Sequence, residues 1–235
     1  MLVTAWFHAG KAVSLTVLPS TRQAMSDTRY PTALLFISSH CPHCPAVLAG
    51  LSELVKRGDV ASLEVVNVER LPDRAVAQGV RSVPWLRLGP YELTGVMSAA
   101  ELAAWAKRCV DVDGMPDAFH DFLKTGGAAQ VLRLVAEAPA RLAHLLPIVA
   151  NPEASLNVRL GAGMVFEDYA GTPALAALLP RLCELARDPD PRVRADAAHL
   201  LGLSRDAASR PCLLELTRDT DADVREIAEE SLAGL

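Results

Sequence analysis

Two cysteines three positions apart are the residues of this 235-residue chain best suited to do chemistry. Cys41 and Cys44 stand in the stretch Ser-Ser-His-Cys-Pro-His-Cys-Pro, residues 38–45, with a proline after each cysteine and His43 between them. Three interpretations are open for such a pair: a redox dithiol that exchanges disulfides, half of a metal site, or two small core residues. The elements on either side of the pair decide among them.

Length, composition and charge bound the class of protein. With 51% apolar and 22% charged residues, the chain has the composition of a soluble globular protein, long enough for one large or two modest domains. Its five cysteines are an odd number, which leaves at least one thiol unpaired and does not fit a small secreted disulfide framework. The net charge of −5 gives no reason to expect nucleic acid. No run approaches the roughly 18 apolar residues of a membrane span.

Charge is unevenly distributed, and its change marks a domain boundary. Residues 1–112 contain 11 lysines and arginines against 9 acids, whereas residues 113–235 contain 12 against 19, so the net charges are +2 and −7. The polar, turn-forming residues 111–116 lie where this balance and the apolar period both change. We therefore expect one domain at residues 1–112 and a second at residues 113–235.

The first twenty residues are apolar but lack the pattern of an export signal. No basic residue precedes the first hydrophobic run, and His8 and Lys11 interrupt that run. We interpret the segment as structured or frayed chain and expect a cytoplasmic protein, with a periplasmic location as the alternative. The compartment matters because Cys-x-x-Cys chemistry runs in opposite directions in the two.

Apolar patterns in residues 1–112 alternate between strand and helix. Residues 33–37 form a continuous apolar run and residues 63–68 are rich in valine, so both suit a buried central sheet. The predicted order is a strand at 33–37, a helix from 46 to a stop at Gly58, a strand at 63–68, a helix at 73–78, a hairpin of strands at 85–88 and 91–94, and a helix from a capping box at Ser98 and Glu101 to about Val110.

The cysteine pair follows the first strand and stands where a helix begins, a position that makes a thiol reactive. Unpaired N–H groups and the helix dipole stabilise an anion there by roughly 0.3 to 1 kcal/mol, or up to about 2 kcal/mol when partly buried. Cys41 is therefore the expected nucleophile, and Cys44, one turn deeper, is placed to resolve a mixed disulfide. Pro42 suits the first helical turn, and His43 adds positive charge beside the thiolate when protonated.

The residues around the pair resemble those of the thioredoxin-fold family over about residues 12–110. Cys41-Pro-His-Cys44 follows a buried strand, and Gly79-Val-Arg-Ser-Val-Pro-Trp85 stands in the place of the stretch that carries the family's cis-proline. The resemblance implies an α/β thioredoxin fold with a central mixed sheet, an exposed Cys41, a buried Cys44, and a cis Val83–Pro84 bond beside them. The expected catalytic residues are Cys41, Cys44, His43 and Pro84, the expected substrate contacts are His40, Pro42, Val83 and Trp85, and neither a metal nor another cofactor is expected.

Three features depart from the family pattern. Leu35 stands six residues before the first cysteine, where thioredoxins usually carry a buried acid that helps move the resolving thiol's proton. Water or another group must then move that proton, or turnover is slow. His40 replaces the usual aromatic residue, and the Pro-His dipeptide is that of DsbA-type oxidants, although the gap from Cys44 to Pro84 is too short for their inserted helical domain. The direction of the redox reaction stays open.

The second half carries an internal repeat. Asp188-Pro-Asp-Pro-Arg-Val-Arg194 superposes on Asp219-Thr-Asp-Ala-Asp-Val-Arg225 at an offset of 31, and Val158-Arg159 precedes the first motif by 35. This spacing predicts stacked helical hairpins, and the segments resemble HEAT repeats of the short bacterial type, which implies an all-α solenoid. The predicted helix pairs are 140–149 with 158–169, 175–186 with 193–203, and 207–216 with 224–232, after a cap or first repeat at 117–136.

The recurring aspartates and arginines are expected to be structural. An aspartate caps the second helix of each hairpin, and an arginine on that helix reaches an acid in the neighbouring repeat. The residues concerned are Asp188, Arg194, Asp219 and Arg225. The three other cysteines stand alone in the sequence and are expected to fill helix cores: Cys109, Cys183 and Cys212. Without a second Cys/His cluster, the metal interpretation weakens.

Two functions are compatible with this sequence. The first is a thiol-disulfide oxidoreductase that acts on a protein disulfide or dithiol, with a reductase or oxidant as recycling partner and a protein partner on the HEAT array. The alternative is a non-enzymatic interaction or redox-sensing protein whose array binds a protein and whose thioredoxin fold does not turn over. Neither involves nucleic acid or a membrane, and the domain combination suggests a bacterial source by resemblance.

Overall fold

A computed structural model of the chain describes residues 30–235. The expectations for the first twenty residues, and for a thioredoxin-like match beginning near residue 12, lie outside the described residues. Within the described range, a four-stranded sheet flanked by helices is followed by helical hairpins. The expected order of an α/β part and an all-α part is confirmed.

The sheet is mixed, and its strands agree with the predicted ones to within a residue. They are β1 (Thr32–Ile37), β2 (Ser62–Asn67), β3 (Trp85–Leu88) and β4 (Tyr91–Thr94), in the order β2-β1-β3-β4. β1 and β2 are parallel, with Thr32 opposite Ser62, whereas β3 is antiparallel to β1 and to β4. The carboxyl ends of β1 and β2 therefore lie at the same edge of the sheet, where the loop with the cysteine pair begins.

β2 is the outermost strand of the sheet that residues 30–235 form, and its place in a buried central sheet stays a prediction. Within residues 30–235 it pairs only with β1. Val66 is buried, whereas Val65 faces solvent. A valine-rich run favours a strand through β-branched side chains, but this propensity does not distinguish an edge strand from a central one.

Three helices flank the sheet. They are α1 (Cys44–Arg57), α2 (Pro72–Ala77) and α3 (Ala99–Arg108). The predicted capping box at the start of α3 is present, because the Ser98 hydroxyl accepts the Glu101 N–H and the Glu101 carboxylate accepts the Ser98 N–H. As predicted, α1 ends at Gly58, whose φ of +81° is a left-handed conformation that favours glycine.

The start of α1 differs from the prediction. The helix begins at Cys44 with Pro45 in its first turn, so the expectation that Pro42 occupies that turn is wrong. The N–H of Cys41 donates to the Ser38 carbonyl at 3.3 Å, which holds the preceding residues in a turn instead. Either proline suits a first helical turn, since the missing N–H has no partner there, and the sequence pattern did not distinguish them.

The remaining helices form hairpins. They are α4 (Gly114–Lys124), α5 (Ala128–Glu137), α6 (Leu146–Val149), α7 (Leu156–Asp168), α8 (Pro173–Ala176), α9 (Leu179–Leu185), α10 (Pro191–Leu203), α11 (Arg210–Leu216) and α12 (Ala222–Ala233), with 3-10 segments at Pro139–Leu145 and Ala207–Ser209. α10 packs against both α9 and α12, and α11 packs against α12. Such contacts between neighbouring hairpins are typical of a repeat array.

The first helix of each hairpin is shorter than predicted. The single helix expected at 175–186 is divided into α8 and α9, with Pro180 in the first turn of α9. Pro147 and Pro211 have the same position in α6 and α11, each after a 3-10 segment. A proline cannot donate a hydrogen bond and its ring clashes with the preceding turn, so the helix is interrupted before each proline and begins again there. The spacing of apolar residues continues through the interruption, which is why the sequence predicted a single helix.

The recurring acidic and basic residues are structural, as expected, but the caps are Asp190 and Asp221 and not Asp188 and Asp219. Asp190 caps α10 by accepting the Arg192 N–H at 2.8 Å, and Asp221 caps α12 in the same way. The Arg194 guanidinium donates two hydrogen bonds to the Asp219 carboxylate, at 2.7 and 2.8 Å, and thereby joins two repeats. The expected bond between an arginine and an acid of the next repeat is confirmed for this pair.

The first aspartate of each motif acts just before the cap. The carboxylates of Asp188 and Asp219 accept the N–H groups of Asp190 and Asp221, both at 2.9 Å. Arg225, in the last hairpin, donates to the Asp219 carbonyl at 2.7 Å and so bonds within its own repeat. The motif therefore fixes the turn between the two helices of a hairpin.

Cys183 and Cys212 form a disulfide, so the expectation that both are isolated core residues is wrong. Their Cα atoms are 5.8 Å apart, a distance that a disulfide spans, and the bond joins α9 to α11 of the next hairpin. The separation of 29 residues was the available signal, because similar positions of neighbouring repeats lie close in space. Cys109 is the free cysteine of residues 30–235, and burial raises the pKa of its thiol to about 12.

One apolar core continues from the sheet into the array. Tyr91 of β4, Trp105 of α3 and Phe122 of α4 form an aromatic cluster with ring centroids 5.1 to 6.2 Å apart. Gly114 lets α4 begin close to α3, because a Cβ at this position would collide with the Arg108 carbonyl. The two parts of the chain are therefore in direct contact through buried side chains.

Polar contacts surround this aromatic cluster. Arg108 donates to the Asp121 carboxylate at 2.6 Å. Gln130 of α5 donates to the Glu92 carbonyl of β4, and the Arg133 guanidinium lies 3.5 Å from the Glu92 carboxylate. α5 thus covers part of β4, which is the other outermost strand of the sheet within residues 30–235.

Candidate active site

The loop between β1 and α1 holds Cys41 and Cys44 as a disulfide. Their Cα atoms are 5.5 Å apart, within the range that a disulfide requires. The two residues differ in access, because Cys44 is 3% exposed whereas Cys41 is partly exposed. A large substrate can therefore approach Cys41, whereas Cys44 is approached through Cys41.

The start of α1 provides an environment that favours negative charge on Cys41. The backbone N–H of Cys44 points at the Cys41 sulfur, with the nitrogen and sulfur 3.1 Å apart. The first turn of α1 contains no acidic residue. Because unpaired N–H groups and the helix dipole stabilise an anion, a thiolate at Cys41 is favoured once the disulfide is reduced.

The Val83–Pro84 peptide bond is cis and lies beside the disulfide. The Val83 carbonyl oxygen is 3.9 Å from the Cys41 sulfur. Pro84 is buried, and its own carbonyl accepts the Gly95 N–H at 3.0 Å. The cis bond that the family resemblance implies is therefore present next to the cysteine pair.

The side chains next to Cys41 in the sequence are accessible. His40, Pro42 and His43 are all exposed. His43 directly precedes α1, and its side chain makes no capping hydrogen bond. Val83 is the residue from a distant loop that approaches the Cys41 sulfur, and the individual roles of the neighbouring side chains stay predictions.

Trp85 differs from the other predicted substrate contacts. It is 4% exposed and packs edge-on against Phe36, with the ring centroids 5.5 Å apart. The Arg87 guanidinium lies 5.5 Å from the centre of the indole. Trp85 therefore belongs to the packing of the sheet near the cis bond, and its contact with a substrate stays a prediction.

A polar network directly before Cys41 was missed by the sequence analysis. The Glu69 carboxylate accepts the backbone N–H of Ser39 at 3.1 Å and lies 3.4 Å from the His40 Nδ1 atom. Asn67 donates to the Ser39 hydroxyl at 3.1 Å and accepts the Glu69 N–H at 2.8 Å. The available signal was topological, since polar residues after two neighbouring parallel strands meet at one edge of the sheet.

The carboxylate of Glu69 is the acidic group bonded to this loop. Hydrogen bonds from Ser39 and His40 hold its pKa below the ordinary value. Leu35, in the position where thioredoxins usually have an acid, is completely buried in β1 and offers no group for proton transfer. The acid associated with the cysteine loop is therefore at the surface, in the turn that follows β2.

Residues 30–235 contain neither a cluster of metal ligands nor a helix able to span a membrane. In this range, no three side chains of histidine, cysteine, aspartate or glutamate are arranged to hold a metal ion. Each helix described is too short or too polar to cross a bilayer.

A mixed four-stranded sheet, a cysteine pair at the start of a helix and a cis-proline beside it define the thioredoxin fold, here followed by helical repeats. Comparisons with known proteins agree, because the Thioredoxin domain family matches residues 33–107 and the HEAT repeats family matches residues 128–233. The thioredoxin of Methanocaldococcus jannaschii is 32% identical over 76 residues, which are 32% of this chain and 89% of that protein. The chain belongs to the thioredoxin family, and HEAT repeats follow its thioredoxin domain.

Both resemblances inferred from the sequence are confirmed by these matches. Membership of the thioredoxin family, together with the paired cysteines, supports oxidoreductase activity at a coarse level. The HEAT repeats support a binding role for the helical array, and both parts suggest protein partners in general.

Proposed function

We propose that the protein is a thiol-disulfide oxidoreductase that acts on a protein disulfide or dithiol. In the reducing direction, the Cys41 thiolate attacks one sulfur of a substrate disulfide, forms a mixed disulfide, and releases the other substrate sulfur as a thiolate. Cys44 then loses its proton and attacks the Cys41 sulfur, which releases the second substrate thiolate and leaves a Cys41–Cys44 disulfide. In the oxidising direction the same steps run in reverse. The observation that carries the proposal is an accessible Cys41 joined to a buried Cys44 at a helix start.

The remaining site residues are proposed to support this exchange. His43, when protonated, adds positive charge beside the Cys41 thiolate, and Pro84 shapes the surface next to it. The proximity of the Val83 carbonyl to the Cys41 sulfur, 3.9 Å, supports a substrate position along this segment. The proposed substrate contacts are His40, Pro42, Val83 and Trp85.

The HEAT array is proposed to recruit or orient a protein partner for the thioredoxin domain. Linking two binding modules raises the effective concentration of the second one, so a partner on the array would meet the dithiol more often. A reductase or oxidant must restore the cysteine pair after each cycle. We propose the boundary between the two domains at residues 112 and 113, between α3 and α4.

A coupled assay tests the proposed oxidoreductase activity. The full-length protein is compared with its Cys41→Ser variant for reduction of insulin disulfides and for oxidation of a reduced peptide. We expect exchange in at least one direction for the wild type and a loss of at least about 100-fold in the variant, which has no nucleophile. Equal rates for the two proteins would remove the basis of the proposal.

The reduction potential of the cysteine pair, measured in a glutathione buffer, tests the direction. A value near the reduction potential of the cytosolic glutathione pool, roughly −220 to −320 mV, supports a reductase or sensor in the cytoplasm. A value near that of strong oxidants, about −120 mV, supports disulfide formation or isomerisation in an oxidising compartment.

The second candidate function is a redox-sensing interaction protein. Leu35 favours it, because within residues 30–235 the site has no buried acid that would speed release of the mixed disulfide. A sensor forms the Cys41–Cys44 disulfide on oxidation but turns over no faster than the Cys41→Ser variant, so the same coupled assay separates the two functions.

A further inference from the structure

Three large apolar side chains lie exposed in one row on α7. Leu156, Leu160 and Met164 are 69%, 59% and 58% exposed. Because they are four residues apart, they lie along one side of the helix. Single exposed apolar residues are ordinary on a protein surface, whereas a contiguous apolar patch marks a contact surface.

The row borders an open cavity of about 460 Å³ between α6, α7 and α10. Apolar side chains form its walls, including Val149, Phe166 and Leu200. Gly163 widens the cavity, since a Cβ there would meet no atom within 4 Å. A space of this size and lining suits several apolar side chains of a partner.

The cavity continues into a second one that is lined by charged side chains. A second cavity of about 460 Å³ lies between α10 and α12 and shares Asp196 and His199 with the first. Glu167 lines the first cavity and Glu230 the second, and within residues 30–235 neither forms an ion pair. Arg159, also in the first cavity, is already bonded to Asp196 at 2.5 Å.

α12, at one end of the groove, is acidic, and the arginines of α10, Arg192 and Arg194, are already paired with Asp190 and Asp219. α12 carries four acids against one arginine, namely Asp223, Glu226, Glu229 and Glu230 against Arg225. Arg225 donates to backbone carbonyls of its own turn, and the basic side chains lining the second cavity among the residues described are Arg205 and His199. A partner that covers this surface therefore needs an apolar stripe next to basic residues.

We propose that the α7–α12 groove binds an amphipathic, basic helix of a partner protein. The groove is lined by Leu156, Leu160, Met164, Leu200, Glu167 and Glu230. Apolar side chains at helical spacing on the partner fill the cavity beside α7, and its lysines or arginines face the acids toward α12. This inference deepens the proposed function, because it names the kind of partner that the array recruits.

A model peptide tests the proposal directly. A fluorescein-labelled helix of about 18 leucine and lysine residues, roughly 27 Å long with its leucines on one face, is titrated with the full-length protein and followed by anisotropy. In one comparison peptide the leucines are scattered around the helix, and in the other glutamate replaces lysine. We expect the amphipathic leucine–lysine peptide to bind at least about tenfold more tightly than either, with weaker binding at high salt.

Substitutions in the exposed row locate the binding surface. Leu160→Glu and Met164→Glu should each weaken binding about tenfold, with the circular dichroism spectrum unchanged because both side chains are at the surface. The matched control is Leu214→Glu, an exposed leucine of α11 that does not line the groove, and it should leave binding unchanged. Glu230→Gln should reduce the salt dependence.

Several outcomes would overturn the proposal. The first is equal affinity of the protein for all three peptides, and the second is an equal loss of peptide affinity in the Leu160→Glu and Leu214→Glu variants. The third is a dimer in sedimentation experiments that Leu160→Glu abolishes, since a second copy of the chain would then fill the groove. Failure of the redox proposal is distinguishable, because the peptide contains no cysteine. The Cys41→Ser variant should still bind the peptide, and the Leu160→Glu variant should still exchange disulfides with insulin.

Discussion

At the scale of single residues, the cysteine loop is positioned by an acid from the turn that follows β2. Glu69 accepts the Ser39 N–H and lies against His40, so it holds the two residues that directly precede Cys41. Because its pKa is lowered, the carboxylate stays ionised and keeps accepting these bonds throughout the neutral range. We therefore regard Glu69 as a positioning residue for the cysteine loop, one that acts through Ser39 and His40.

Removing the Glu69 carboxylate should slow disulfide exchange without unfolding the protein. In Glu69→Ala the loop loses its acceptor, and we expect insulin reduction to slow by roughly threefold to tenfold, because small displacements of a nucleophile reduce its rate of attack. Glu69→Gln retains an acceptor for the Ser39 N–H and should recover most of the rate. The control is Glu64→Ala, which removes an exposed acid of β2 that pairs with Arg74 away from the loop. A rate for Glu69→Ala equal to that of Glu64→Ala would argue against the positioning role.

At the scale of elements, neighbouring hairpins are joined by two kinds of cross-link. The Arg194 and Asp219 side chains are only 14% and 9% exposed, so their double hydrogen bond is shielded from water. The disulfide between Cys183 of α9 and Cys212 of α11 provides the second link. Each hairpin buries its apolar face against its neighbour, so links of this kind stabilise the array as a whole.

The Arg194–Asp219 pair should make stability depend on acidity. We expect Asp219→Asn to lower the free energy of unfolding by about 3 kcal/mol at neutral pH, since it leaves a shielded arginine without its counter-charge. Hydrogen bonds from Arg194 lower the pKa of Asp219, so the unfolded chain takes up protons first as the pH falls. The contribution is then complete above about pH 4 and decreases below it, and the difference between wild type and variant should narrow there.

Urea denaturation at several pH values measures this effect. The matched control is Glu184→Gln, which breaks an ion pair whose partners, Arg181 and Glu184, are both well exposed. It should cost less than about 1 kcal/mol. A constant difference between wild type and Asp219→Asn from neutral pH down to pH 3 would contradict the linkage.

The second disulfide should stabilise the array independently of the active site. The Cys183→Ala/Cys212→Ala variant lacks this disulfide, which joins positions 29 residues apart. We expect its free energy of unfolding to be lower by about 3 to 4 kcal/mol under oxidising conditions. Under reducing conditions the variant and the wild type should differ much less, because both then lack the link. The control is Cys41→Ala/Cys44→Ala, which removes a disulfide that closes only a short loop. It should change the free energy of unfolding less.

At the scale of the whole molecule, the thioredoxin domain and the array share one core. Tyr91, Trp105 and Phe122 pack across the junction, and the Arg108–Asp121 bond lies beside them. Inter-domain contacts that are buried and apolar resist relative motion, whereas polar linkers permit it. A partner held on the array is therefore held in a defined orientation to the cysteine pair.

Truncating the shared aromatic cluster should uncouple the two parts. We expect Phe122→Ala to cost about 3 to 5 kcal/mol and to divide thermal unfolding, followed by calorimetry, into two transitions, because the ring contacts both Tyr91 and Trp105. Phe166→Ala is the control, since it removes a buried ring of the array outside the junction. It should lower stability by a similar amount while leaving a single transition, because the two parts stay coupled. A single transition in Phe122→Ala would contradict the coupling.

Local patterns predicted most of the elements and the cysteine pair. The hairpin strands β3 and β4 and the capping box of α3 agree with their predictions, because each depends on residues a few positions apart. Where two residues satisfied the same local rule, prediction failed. Pro42 and Pro45 both suit a first helical turn, and the backbone hydrogen bond from the Cys41 N–H to the Ser38 carbonyl determined which of them occupies it.

The sequence by itself determined the dithiol, the strand and helix around it, and the period of the helical array, since these follow from spacing along the chain. Only the tertiary structure placed Glu69 against His40, joined Cys183 to Cys212, and packed Phe122 on the thioredoxin domain. The physical reason is that an apolar period specifies which face of an element is buried, whereas the surface that covers this face depends on how distant elements pack together.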